Sequence, residues 1–192
     1  MMRHLGIHDE DFVRGKTPMT KREVRILSLN EAKIKENSVV YDIGAGTGSL
    51  SVEAALLAPL GKVYAIEKNP EGIELIKKNA DKFKVTNIEI LNKIAPDGMD
   101  GLPAADTILI GGSGGNAAMI LDKSVEKLKK NGRIVINIIT VETLNEVLSY
   151  FKEAKDIEYY SYEVAINRYS RVGKYHLKKS ENPITIIVAN KG

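Results

Sequence analysis

At 192 residues the chain is sized for about one domain, and 43 % hydrophobic content supplies a core that needs no covalent staples. The absence of cysteine excludes disulfide frameworks, thiolate zinc sites, iron–sulfur clusters and cysteine nucleophiles, and three scattered histidines (His4, His8, His176) leave little material for a metal site. Lys+Arg of 28 against Asp+Glu of 25 gives a net charge of +3, too mild to mark a nucleic-acid binder. No apolar run approaches the roughly 18 residues of a membrane span, and residues 1–20 lack the continuous apolar segment of a secretory signal. The expectation is a soluble cytoplasmic protein with no nucleic-acid or membrane partner.

In chain order, Thr20-Lys21-Arg22-Glu23 reads as a capping box that opens a helix through about Ala32, with Val24, Leu27 and Ile34 facing inward. From residue 38 onward short β-branched runs alternate with longer amphipathic stretches, the signal of a mainly parallel sheet with helices on both faces. Strands are predicted at 39–43, 63–66, 88–91, 107–110 and 134–139, and helices near 48–59, 70–83, 115–130 and 141–154. Asn69-Pro70-Glu71 marks a helix start, and Lys129-Lys130-Asn131-Gly132 reads as a helix end. Residues 157–167 and 184–189 are two further strands joined by a polar, basic connection, which predicts an antiparallel hairpin at one sheet edge. The division is one domain over 1–192: an arm and helix over 1–36, then a core over 37–192 that ends in the hairpin.

The chemistry is concentrated in Asp42-Ile43-Gly44-Ala45-Gly46-Thr47-Gly48, directly after the first strand and before a helix. Alternating glycines let backbone N–H groups approach a ligand, and the helix adds its positive end. A dinucleotide fingerprint would need glycine at position 49, where Ser49 stands, so the spacing disfavours NAD. It resembles instead the motif of S-adenosylmethionine-dependent methyltransferases with a Rossmann-like fold, in which an acid ending the first strand precedes G-x-G-x-G. Asp42 holds that acid's place.

The second strand ends in Glu67, nineteen positions beyond Gly48, where a carboxylate at the sheet's carboxyl edge can accept both ribose hydroxyls. After the third strand, Ala95 stands where this fold packs small apolar side chains against an adenine ring.

Pro18-Met19-Thr20-Lys21-Arg22-Glu23-Val24-Arg25, Ile110-Gly111-Gly112-Ser113-Gly114-Gly115, Tyr64-Ala65-Ile66-Glu67-Lys68-Asn69-Pro70-Glu71, the opening run 6–12 and Asn182-Pro183 together resemble the decarboxylating cobalt-precorrin carbon-15 methyltransferase family of cobalamin biosynthesis. The resemblance spans nearly the whole chain. It implies a class I methyltransferase fold, S-adenosylmethionine as methyl donor, a cobalt-precorrin or precorrin tetrapyrrole as substrate, and a homotetramer. Matched by motif, it places cofactor contacts at Thr20, at Gly44, Ala45, Gly46, Thr47 and Gly48, and at Glu67 and Ala95. For Thr20, capping of the first helix is a competing role.

Glycines at 111, 112, 114 and 115 nearly delete the side chains where the fourth strand ends. A flat tetrapyrrole needs such a platform, which makes Gly112, Ser113, Gly114 and Gly115 candidate substrate contacts whose N–H groups can meet its carboxylates. Arg168, Arg171, Lys174, Lys178 and Lys179 against Glu181 give the terminal connection a local charge of +4, more than the whole chain's +3. Arg168, at the close of the strand, is the candidate for pairing with a substrate carboxylate. No general base is named, because the ring's own electrons can drive the attack. Two other readings stay open: a methyltransferase for another acceptor, such as tRNA or protein isoaspartate, and a non-catalytic nucleotide-binding subunit.

Overall fold

The computed structural model describes residues 5–192, so His4 lies outside the described residues. A seven-stranded sheet carries the fold in the order β3-β2-β1-β4-β5-β9-β6. Its strands are β1 (Val39–Ile43), β2 (Lys62–Glu67), β3 (Ile88–Asn92), β4 (Ala105–Ile110), β5 (Leu128–Ile138), β6 (Ile157–Val164) and β9 (Ile184–Lys191). The first five are parallel, and β9 runs antiparallel to both β5 and β6. After β1 the chain proceeds outward to β2 and β3, then returns to lay β4 on the other flank of β1. That reversal leaves a crevice above the carboxyl ends of β1 and β4, where open α/β sheets bind ligands.

The pleat sorts the core into two layers. Tyr41 and Ile43 of β1 join a cluster with Ile120 and Leu121 of α4 (Ala117–Lys127) and Val147 and Phe151 of α5 (Val141–Glu153). Val40, between them, faces Val24 and Leu29 of α1 (Arg22–Ala32) and Leu50 and Ala54 of α2 (Ser49–Leu57). On that second face Ile76 of α3 (Pro70–Lys82) meets Ala65 of β2. Helices therefore cover both faces, as the alternating pattern predicts.

The start of α3 follows its sequence signal: Asn69 accepts from the Glu71 N–H at 3.0 Å, with Pro70 in the first turn. Three local expectations are corrected. The first helix begins at Arg22 with Lys21 as its N-cap and no side-chain cap. The capping box is not formed, because the Glu23 carboxylate pairs with Arg168 at 2.9 and 3.0 Å and the Thr20 carbonyl accepts from Arg25 at 2.6 Å. α4 stops at Lys127 rather than running to 130: Leu128, 3 % exposed, turns inward and pairs with Ala105, and Lys129 bonds Asp106 instead of helix carbonyls. The basic connection forms its own antiparallel ribbon, β7 (Asn167–Val172) with β8 (Tyr175–Ser180), across a two-residue turn containing Gly173 at φ +61°.

The chain before α1 is held down by a buried charge cluster. Arg25 is fully buried and donates from Nε to Glu53 Oε1 at 2.8 Å and from Nη1 to Asp9 Oδ1 at 2.9 Å, and its guanidinium lies 4.7 Å from the centre of the Phe12 ring. Glu53 in turn accepts the Gly6 and Ile7 N–H groups. Further along, Asn79 of α3 bonds both backbone groups of Val13, and Glu71 accepts from the Lys16 N–H and the Thr17 hydroxyl. This arm brings 17–20 across the crevice. No helix among the described residues is long and apolar enough to cross a membrane, and no group of three or more His, Asp or Glu there is arranged to hold a metal ion.

Candidate active site

A cleft of about 490 Å³ opens at the β1/β4 reversal. Its floor is the turn after β1, where Gly44, Gly46 and Gly48 have φ of +69°, +57° and +76°. These left-handed conformations favour glycine, and close packing adds a second requirement. A Cβ on Gly44 would lie 2.7 Å from the Gly112 carbonyl oxygen, and one on Gly46 would lie 3.0 Å from that of Pro18. The glycine turn is thus wedged between the loop after β4 and the N-terminal arm. Gly48 opens α2 and packs on Ile76.

Glu67 ends β2, 8 % exposed, with its carboxylate turned over this floor. Oε2 accepts from the Gly46 N–H and Oε1 from the Asn69 N–H, both at 2.8 Å. An ionised carboxylate has about four acceptor positions, so one on each oxygen remains for a ligand's hydroxyl. Gly72 of α3 makes this possible, since a Cβ there would meet Glu67 Cγ and the Gly46 carbonyl oxygen at 2.9 Å each.

Around this centre the cleft is lined by Thr20, Gly44, Ala45, Gly46, Glu67, Ala95, Gly112, Ser113 and Gly114 among the residues singled out from sequence. Gly115 lies on an adjoining cavity of about 220 Å³. Four candidates stand back from the wall. Asp42 is fully buried, with Oδ2 accepting from the Ser51 hydroxyl and Oδ1 without a partner; burial, reinforced by the nearby Glu67 charge, pushes its carboxyl up to about 6 against the Ser51 bond. Thr47, 1 % exposed, has an unpartnered buried hydroxyl, and its carbonyl accepts from Asn79. Gly48 shapes the helix start. Arg168 grips Glu23 and approaches Glu181 at 3.4 Å, so it tethers the rim, where Glu181 lines the cleft.

Sequence reasoning missed Lys21, Lys68, Lys93, Asn137 and Ile139, which also line the cleft. Asn137 had a readable signal: it is the lone polar residue in the run 134–139, at the carboxyl end of a central strand. Gly112 has nothing within 4 Å of where a Cβ would stand, so the loop after β4 is an open ledge beside the glycine turn.

A family model described as a precorrin methyltransferase domain matches residues 11–191. A protein of Sulfurisphaera tokodaii named probable cobalt-precorrin-6B C(15)-methyltransferase (decarboxylating) is 42 % identical over 99 % of this chain and 100 % of its own length. The crystal structure of precorrin-6y C5,15-methyltransferase from Geobacter metallireducens superposes with a TM-score of 0.91, at 35 % identity, covering 97 % of each chain. That of precorrin 8w decarboxylase from Methanobacterium thermoautotrophicum gives 0.90 at 31 % identity, covering 97 % of this chain and 99 % of the other.

Proposed function

The chain belongs to the precorrin methyltransferase family, and we propose that it methylates carbon 15 of cobalt-precorrin-6B, or of the corresponding precorrin, and removes the carboxylate of the ring C acetate arm, using S-adenosylmethionine, in cobalamin biosynthesis. The observation that carries the reading is the juxtaposition, in one cleft, of a carboxylate with two free acceptor positions and a bare glycine ledge.

The residues present fit the methyl donor. The volume lies within the roughly 300–1,000 Å³ of small-molecule sites, and the floor is a cradle that side chains at Gly44 and Gly46 would fill. Glu67 would hold the ribose hydroxyls, Ala95 would pack on the adenine, and backbone groups of the glycine turn would hold the polar end, with Thr20 closing from the arm. When bound, S-adenosylmethionine supplies an electrophilic methyl group on a sulfonium sulfur.

The chain's own work is positioning. The ledge 111–115 gives a flat macrocycle room to lie beside the donor, and a near-attack arrangement can lower a barrier by about 7–11 kcal/mol. Lys21, Lys68 and Lys93, in no ion pair among the described residues, leave the cleft attractive to a polycarboxylate. No side chain needs to act as a strong base, because the electron pair released with CO2 serves carbon 15. For assembly we favour a homotetramer, supported by Tyr169, Val172, Tyr175 and Leu177, which leave apolar surface exposed on the β7–β8 ribbon.

The test is mass spectrometry after incubation with S-adenosylmethionine and cobalt-precorrin-6B. One methyl gained and one CO2 lost is expected; methyl transfer to tRNA or peptide in its place overturns the assignment, as does cofactor binding with no product.

A further inference from the structure

The cleft and the smaller cavity beside it share a wall, the loop 111–114 with Ile120, Asn137 and Ile139, yet they differ in charge. Lys21, Glu67, Lys68, Lys93 and Glu181 line the cleft. None of the residues lining the smaller cavity is charged: Ile110, Leu121, Ile138 and Val147 make its walls. Part of its polar rim is spent on itself, since the Thr140 hydroxyl donates to that of Thr143 at 2.9 Å and accepts from the Thr143 N–H at 3.3 Å, and Ser113 adds a neutral hydroxyl on the shared wall. Asn137 stands where the two spaces meet. Its Oδ1 accepts from the hydroxyl of Ser28, itself fully buried, at 2.8 Å, and its amide nitrogen has no hydrogen-bond partner among the described residues.

Resting on the function proposed above, we infer that the smaller cavity is the decarboxylation subsite: it receives the acetate arm whose carboxylate is lost, while the cleft lysines hold carboxylates that are kept. An arm of four heavy atoms fits a cavity of about 220 Å³, and it displaces water that occupies roughly 30 Å³ per molecule. A carboxylate stripped of water and given no cation is raised in energy, whereas CO2 is neutral and loses little by the transfer. In the step, the bond between the arm's methylene and its carboxylate breaks and CO2 departs without the bonding pair. That pair enters the conjugated ring and leaves an exocyclic methylene, and a ring pair displaced toward carbon 15 forms the new bond to the incoming methyl carbon, while the methyl's former bond to the donor's sulfonium sulfur breaks and leaves its pair on that sulfur as a neutral thioether. No outside base, oxidant or reductant is needed. Asn137 offers the arm one neutral donor at the entrance, which orients the carboxylate without pairing its charge.

The experiment places charges in the cavity through Thr143, half-buried in the first turn of α5. Calorimetry without S-adenosylmethionine measures cobalt-precorrin-6B binding, and single-turnover assays with both substrates measure CO2 release. Thr143→Glu is expected to weaken binding at least tenfold. Thr143→Lys is expected to bind at least as tightly as wild type while releasing CO2 at least tenfold more slowly, a split of opposite sign that general damage does not produce. Glu142→Lys, one residue away and outside the lining, controls for charge at a distance and should leave both readings unchanged. Wild-type-like CO2 release by Thr143→Lys, or wild-type-like binding by Thr143→Glu, overturns the subsite while leaving the methyltransferase reading intact. Wild-type protein that binds S-adenosylmethionine and yields no methylated product overturns the parent reading and the subsite with it.

Discussion

Replacing Glu67 with alanine separates the two tasks given to its carboxylate. In the free protein it accepts the Gly46 and Asn69 N–H groups at 2.8 Å each, and both lie in a partly buried setting. Leaving a buried donor unpaired costs about 1–3 kcal/mol, and water entering from the cleft relieves part of that, so a stability loss of about 2–4 kcal/mol is expected. With S-adenosylmethionine bound, two charge-assisted bonds to the ribose disappear. At about 1.5–3 kcal/mol each the pair totals about 3–6 kcal/mol, and with tenfold in affinity per roughly 1.4 kcal/mol the dissociation constant should rise by about a hundredfold to ten-thousandfold. Urea denaturation reads the first effect and titration calorimetry of the folded variant the second. Unchanged affinity would refute the ribose clamp, and an unchanged denaturation midpoint would refute the claim that Glu67 ties the glycine turn to the start of α3.

Gly112→Leu should leave stability within about 0.5 kcal/mol and S-adenosylmethionine binding near wild type, since a Cβ there meets nothing within 4 Å, but it should lower kcat/KM for the tetrapyrrole at least tenfold by filling the ledge; full activity discards the platform. Arg25→Met strands the Glu53 and Asp9 carboxylates and should cost about 3–5 kcal/mol in chemical denaturation, with weaker cofactor binding as the arm loosens; a loss below about 1 kcal/mol would show the cluster to be dispensable. Asp42 carries a folded-state value of about 6 against about 3.9 unfolded, so between those pH values the folded chain holds more protons and stability falls as pH rises, by about 3 kcal/mol in all. Asp42→Asn should abolish that part of the slope, and parallel stability curves for the two proteins between pH 4 and 7 would disprove the assignment of the proton.

Elements that depend on neighbours in sequence were legible before any coordinates. The glycine spacing 44-46-48 encodes three left-handed residues within one turn, and the β-branched runs encode buried parallel strands, so the crevice and Glu67 at its edge could be located from the chain alone. Even the antiparallel ending was readable, because β6 and β9 are separated by no helical pattern. What escaped depends on groups brought together from afar. Thr20 looks like a cap until Arg168, 145 residues beyond Glu23, claims that glutamate, and Lys129 looks like a helix end until Asp106 offers it a better partner than helix carbonyls. Nothing in the residues next to Arg25 marks it for burial, yet tertiary packing surrounds it with Asp9, Glu53 and the Phe12 ring and so determines where the arm lies. The same holds for the two cavities. Their walls are drawn from residues as far apart in the chain as Thr17 and Ile184, and whether a cavity is charged follows from which side chains converge on it. Local propensity is a property of a few consecutive residues; charge neutralisation and enclosure are properties of the packed whole.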